Sequence, residues 1–111
     1  VAKGFLQREG IDYSEIFSPV VKHSSIRLLL AYAAYNDFHI ELLDVKTAFL
    51  HGDLKEKIYM QPHDGYPSEF KSHQVCLLNK PLYGLKQALR QWYLKFDSFM
   101  IGNKFTRSQY D

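Results

Sequence analysis

Residues 38–50 read FHIELLDVKTAFL. Phe38, Ile40 and Leu42 alternate with His39, Glu41 and Leu43, the two-residue period of a strand with two distinct faces. The spacing predicts a β-strand over 38–43 that runs straight into Asp44. An ionised carboxylate flanked by Leu42, Leu43 and Val45 is costly to desolvate unless something compensates for it. A magnesium ion would do so, because it favours carboxylate, phosphate and water oxygens; a cap for the turn that follows is the alternative reading.

Working outward, residues 1–7 read as the end of a strand, with Gly4 before Phe5 and Leu6, and Gly10 breaks it. Residues 12–19 (DYSEIFSP) read as an extended loop whose Tyr13, Ile16 and Phe17 pack back onto the domain. A first helix follows, with Ser24 or Ser25 as its N-cap and Ile26, Leu29, Leu30 and Ala33 in helical period. Leu28, Ala31, Tyr32 and Ala34 fill its other faces, which predicts cover on more than one side before Asn36 and Asp37 end it.

After the tight segment closed by Gly52 and Asp53, Ile58–Met60 and Val75–Leu78 are short and apolar enough to pair as an antiparallel hairpin. Gln61–Gln74, with Pro62, Gly65 and Pro67, connects them. Leu85, Ala88, Leu89, Trp92, Phe96, Phe99 and Met100 recur at spacings of three and four, predicting an amphipathic helix over Leu85–Ile101 ended by Gly102 and Asn103. On that stripe Trp92 reads as a core residue. The fold class is α+β, with short antiparallel strands and two main helices.

Composition bounds the rest. The 111 residues are 46% hydrophobic and 23% charged, which is ordinary globular composition and the size of one domain or part of one. The longest uncharged apolar run, Leu28–Tyr35, is far short of the roughly 18 residues that span a bilayer. The first residues have no secretory pattern, and the single Cys76 excludes a disulfide framework. Since the chain starts at Val1, it is expected to be a piece of something longer. Residues 1–55 hold 6 basic and 7 acidic groups, and residues 56–111 hold 8 and 5. The basic second half suits either a polyanionic partner or a solvated helix face. The histidines, 23, 39, 51, 63 and 73, have no paired spacing, so a zinc site is not expected.

Several motifs carry a resemblance. LDVKTAFLHGDL at 43–54, PLYGLKQALRQWY at 81–93, VAKGF at 1–5, EIFSPVVK at 15–22, IYMQP at 58–62 and LKFDSFM at 94–100 resemble the reverse transcriptase of copia-type long-terminal-repeat retrotransposons, in order and over essentially the whole chain. The resemblance implies a partial right-hand polymerase, residues 1–111 being fingers and the first part of the palm of an RNA-directed DNA polymerase in a Pol polyprotein. It implies that Asp44 is the first catalytic aspartate and a ligand of two Mg2+ ions, with the Val45 carbonyl on one of them. Phe49 matches the aromatic residue under the incoming sugar, where a ribose 2′-OH would collide; a core phenylalanine is the alternative. Gly84, Lys86, Gln87 and Arg90 match the template- and nucleotide-contacting motif, the glycine allowing close approach and the others offering donors to phosphate.

The implied partners are an RNA or DNA template-primer, dNTPs and the rest of the polyprotein, with no membrane, and the implied location is cytoplasmic virus-like particles and the nucleus. Two positions depart from the family pattern: Leu89 stands where it has proline, and Pro81 where a small residue is usual. The family's remaining carboxylates lie in an aromatic-x-Asp-Asp hairpin, and no Asp-Asp pair occurs in the 111 residues, with Glu41 and Asp53 poorly placed to substitute. The isolated chain is therefore expected to be inactive. A decayed or domesticated remnant that only binds nucleic acid through its basic C-terminal helix is the other reading.

Overall fold

The computed structural model of the chain describes residues 1–66 and 73–110, so Pro67 of the connecting loop lies outside them. The hairpin forms where the alternation puts it. Strand β1 (Tyr59–Met60) pairs antiparallel with β2 (Cys76–Leu77), Tyr59 opposite Leu77 and Met60 opposite Cys76. The Leu78 amide extends the pairing to the Ile58 carbonyl at 2.9 Å, and Ile58 is buried behind it. Helix α1 covers His23–Tyr35 and helix α2 covers Ala88–Gly102. Short 3₁₀ turns stand at Gly4–Leu6 and Ala48–His51.

Both helices stop by the same device. Asp37 takes a left-handed conformation (φ 54°), its amide donates to the Ala34 carbonyl, and the Phe38 amide donates to the Ala33 carbonyl at 2.8 Å. This is a Schellman motif, and its usual apolar contact is supplied by the edge-on approach of Phe38 to Tyr32. At the end of α2, Lys104 (φ 68°) fills the same role, with its amide on Ile101 and that of Phe105 on Met100. Gly102, expected to break the helix, stays within it because the left-handed residue comes two positions later.

Several sequence expectations do not hold in the fold. Residues 1–7 hold a 3₁₀ turn, Gly4–Leu6, rather than a strand end: Gly4 is pressed against the backbone of Gly84, and no strand lies beside it among the described residues. Helix α1 begins at His23 with Lys22 at the cap, so Ser24 and Ser25 fall inside the first turn and neither caps it. No residue of α1 is buried: it packs against no other described element, and Leu29 is 65% exposed where cover on several sides was expected. Residues 38–43 make no strand, since the only described sheet is β1–β2 and their backbone has no ladder to join. Within the 12–19 loop, Tyr13 is half-buried, but the Ile16 and Phe17 side chains stay exposed.

The core is small. Ala2, Ile58, Leu85 and Ala88 are buried together, with Phe49, Leu54, Met60, Leu78 and Leu82 packed around them. It joins the first residues, the hairpin base and the start of α2. Helix α2 begins at Ala88, not Leu85, because the Leu85 and Ala88 amides first close tight turns onto Leu82 and Leu85. Its buried face, Ala88 and Gln91, lies on the 48–51 turn and on Gly52, where a Cβ would sit 3.1 Å from that of Gln91. Trp92 is half-buried rather than core, tilted against Phe96, and the stripe emerges into solvent by Phe99, 64% exposed. With α1 standing away from this core, the radius of gyration is 18.7 Å, against about 13 Å for a compact chain of this length. No described helix is long and apolar enough to cross a membrane.

Candidate functional site

The 3₁₀ turn Ala48–His51 presents Phe49, and the 81–87 segment folds over it. The Phe49 ring lies 4.7 Å from that of Tyr83, tilted by 32°. Phe49 is half-buried and joins the core edge, so it is both a packing residue and an edge of the site. The turn begins at Thr47, a β-branched residue in the left-handed region (φ 52°). Such a conformation costs of order 1–3 kcal/mol and persists only where surrounding structure enforces it. It lies between Asp44 and Phe49.

Gly84 has φ 99°, and a Cβ there would fall 2.0 Å from the Ala2 carbonyl oxygen. Gly4 meets the Gly84 carbonyl in the same way, and the Ala2 amide donates to the Tyr83 carbonyl at 2.7 Å. The close approach at Gly84 is thus made to the chain's own first residues, a cause different from the one expected.

The three polar residues that follow are tied to the N-terminal segment. Gln87 is wholly buried (0% exposed); its Nε2 donates to the Asp12 carbonyl at 3.0 Å and its Oε1 accepts from Gln7 Nε2 at 2.9 Å. Both ends of that amide are used inside the protein, so the donor expected to face phosphate does not reach the surface. Gln7 Oε1 also accepts the Lys86 amide at 2.8 Å. The Lys86 ammonium lies 4.8 Å from the centre of the Tyr13 ring and 3.2 Å from its hydroxyl. Arg90 donates to the Phe17 carbonyl at 3.0 Å and pairs with Glu15 at 2.9 Å, its side chain 19% exposed. Lys86 and Arg90 are half-buried, the first against Tyr13 and the second against Glu15.

Asp44 and Val45 lie on the exposed 38–47 stretch. The apolar flanks that made a carboxylate there look expensive are themselves in solvent, Leu42 at 96% exposure, and Asp44 is exposed with them. No group of three or more His, Cys, Asp or Glu residues gathers among the described residues. Glu41 faces His39 at 3.9 Å. Asp53 is held 2.8 Å from Lys80 and 3.6 Å from Lys95, and these ammonium groups keep its carboxyl below the ordinary aspartate range. Pro81, one of the departures from the family pattern, is fully buried, and Leu89, the other, stands 41% exposed in the first turn of α2.

The structure therefore gathers Phe49, Gly84, Lys86, Gln87 and Arg90, and leaves Asp44 and Val45 on the adjoining open stretch. Gln7, Asp12 and Tyr83 went unnoticed in the sequence. No local pattern links residues so far apart.

Comparison with known proteins follows the same outline. The family model described as reverse transcriptase (RNA-dependent DNA polymerase) matches residues 1–111. The retrovirus-related Pol polyprotein from transposon TNT 1-94 of Nicotiana tabacum is 60% identical over 111 residues, which is 100% of this chain and 8% of that protein. Those from transposons RE1 and RE2 of Arabidopsis thaliana are each 44% identical, over 100% and 97% of this chain and 8% and 7% of theirs. The chain thus spans less than a tenth of the length of these curated relatives. No solved structure matches it. Matched along its whole length, the chain belongs to the reverse transcriptase (RNA-dependent DNA polymerase) family.

Proposed function

We propose that this chain is a fingers-and-palm portion of a copia-type retrotransposon reverse transcriptase, contributing one metal-binding aspartate and part of the nucleotide site to the polymerase of a longer Pol polyprotein. The observation that carries this reading is the convergence of Phe49 with the 83–90 segment, two motifs distant in sequence, five residues past Asp44.

Asp44 and the Val45 carbonyl offer hard oxygen donors, which suit magnesium. They are part of a ligand set, and the remaining donors would come from substrate phosphates, water and other residues of the polyprotein. Bound there, divalent cations would neutralise the charge developing as a primer hydroxyl displaces pyrophosphate from a deoxynucleotide. Asp44 would hold those cations in place. Phe49, braced by Tyr83, places a ring edge where a sugar can be tested for a 2′-OH. Lys86 and Arg90 supply cationic groups for phosphate, with Tyr13 and Glu15 holding them when no anion is present. The isolated 111 residues do not catalyse: one carboxylate cannot hold two cations about 3.5–4 Å apart against their hydration.

Primer extension on an RNA template tests the reading. The polymerase-bearing segment of the polyprotein incorporates deoxynucleotides when a divalent cation is supplied, and the 111-residue chain alone does not. A complete segment inert with every template and cation would overturn it.

A further inference from the structure

We infer that Gln87 is a positioning residue, whose buried amide locks the N-terminal segment onto the 83–87 turn and thereby fixes the Phe49 ring. The inference rests on the polymerase reading for its consequence, but the lock itself is a feature of this chain.

The connections are continuous. The Arg8 amide donates to Asp12 Oδ2 at 2.8 Å, the Asp12 amide returns to the Arg8 carbonyl at 2.9 Å, and the Gly10 amide reaches the Tyr13 carbonyl at 2.8 Å. Residues 8–13 are thus a closed turn, and the Asp12 carbonyl it presents is taken by Gln87 Nε2. Gln87 Oε1 receives Gln7, whose own oxygen receives the Lys86 amide. On the other side of the turn the Tyr83 carbonyl accepts the Ala2 amide, and the Tyr83 ring braces Phe49. Gln87 is the middle of this chain of contacts and has no exposed surface.

Only glutamine meets both demands at that depth. Glutamate would lose the donor to Asp12 and bury a charge, methionine would lose both bonds, and asparagine is one methylene too short. An uncharged amide sealed from solvent is poorly suited to grip phosphate but well suited to hold one segment against another.

The test uses the complete polymerase segment. Primer extension is measured with matched deoxy- and ribonucleotides for Gln87→Met and Gln7→Met, each alone and combined with Phe49→Val. Gln7→Met is the milder change, since Gln7 is only half-buried, and it serves if Gln87→Met does not fold. Amide exchange of the 47–51 and 83–87 peptides is followed in the same proteins. A ring displacement of about 1 Å can alter a rate on the order of 100-fold, so Gln87→Met is expected to raise relative ribonucleotide use about tenfold or more. That increment disappears in the Phe49→Val background, and both peptides exchange faster.

A rise in the Michaelis constant for every nucleotide with the sugar ratio unchanged would identify Gln87 as a direct ligand and overturn the inference. An equal change in both backgrounds would also overturn it, as would unchanged exchange. If Phe49→Val itself leaves the sugar ratio alone, the fault lies with the assigned role of Phe49, and the exchange of the two peptides still decides whether the lock exists.

Discussion

The Phe49 ring rests 4.7 Å from the Tyr83 ring, inclined by 32°, and through that contact the turn after Asp44 meets the segment that opens α2. Such aromatic pairs contribute about 0.5–1.5 kcal/mol beyond the area they bury. Tyr83→Ala is therefore expected to lower unfolding stability by about 1–3 kcal/mol, and Tyr83→Phe by less than about 0.5 kcal/mol. Denaturant titration of the two variants measures the difference; equal losses would show that the ring contact is not what matters.

Helix α2 ends on a left-handed lysine. A glycine at that position removes the steric cost of a Cβ in the left-handed region while keeping both Schellman bonds, so Lys104→Gly should stabilise the chain by about 0.5–1 kcal/mol. Gly102→Ala should also be tolerated, because Gly102 has helical backbone and open space at its Cβ. Thermal melts of both variants check this, and a fall in melting temperature for Lys104→Gly would contradict it.

The Arg90 guanidinium is held by Glu15, and an incoming phosphate must compete with that carboxylate. Glu15→Gln is expected to tighten binding of a single-stranded RNA about 3-fold to 10-fold at low salt and to make the logarithmic salt dependence steeper by close to one ion. Arg90→Ala should do the opposite. Fluorescence anisotropy across a salt series measures both, and an unchanged slope in Glu15→Gln would remove Arg90 from the list of phosphate contacts.

Asp97 accepts two hydrogen bonds from Arg107, which holds the carboxyl below its ordinary range and the guanidinium above its own. A carboxylate with a lowered folded value stabilises above the unfolded value, near pH 4, and that stabilisation is lost as pH falls through the folded value. The raised arginine acts only at the alkaline extreme. Melting temperature should therefore show no contribution from this pair to its slope between pH 5 and 8, and a decline below about pH 4 that is shallower in Asp97→Asn. Asp53, lowered by Lys80 and Lys95, follows the same sign.

Local rules reached some of this architecture and not the rest. The hairpin was legible because Ile58–Met60 and Val75–Leu78 carry short apolar runs, and α2 because its stripe keeps one period from Ala88 to Met100. Asn36 and Asp37 announced the end of α1 by their tolerance of left-handed backbone. Residues 38–43 alternate like a strand, but alternation describes which side chains share a face and cannot supply the neighbouring backbone that makes a ladder. Phe49, Gly84, Lys86 and Arg90 became candidates through motifs. The fate of Gln87 was not, because its bonds run to Gln7 and Asp12 at the far end of the chain, and only the folded backbone brings them together.

Primer extension by the complete polymerase segment with Asp44→Asn measures most directly whether Asp44 carries metal for the polymerase. Losing a metal ligand removes several kcal/mol of transition-state stabilisation, so extension should fall on the order of 1,000-fold or more while the protein keeps its melting temperature. Extension within about twofold of the unaltered protein, at the same magnesium concentration, would contradict a metal-binding role for Asp44.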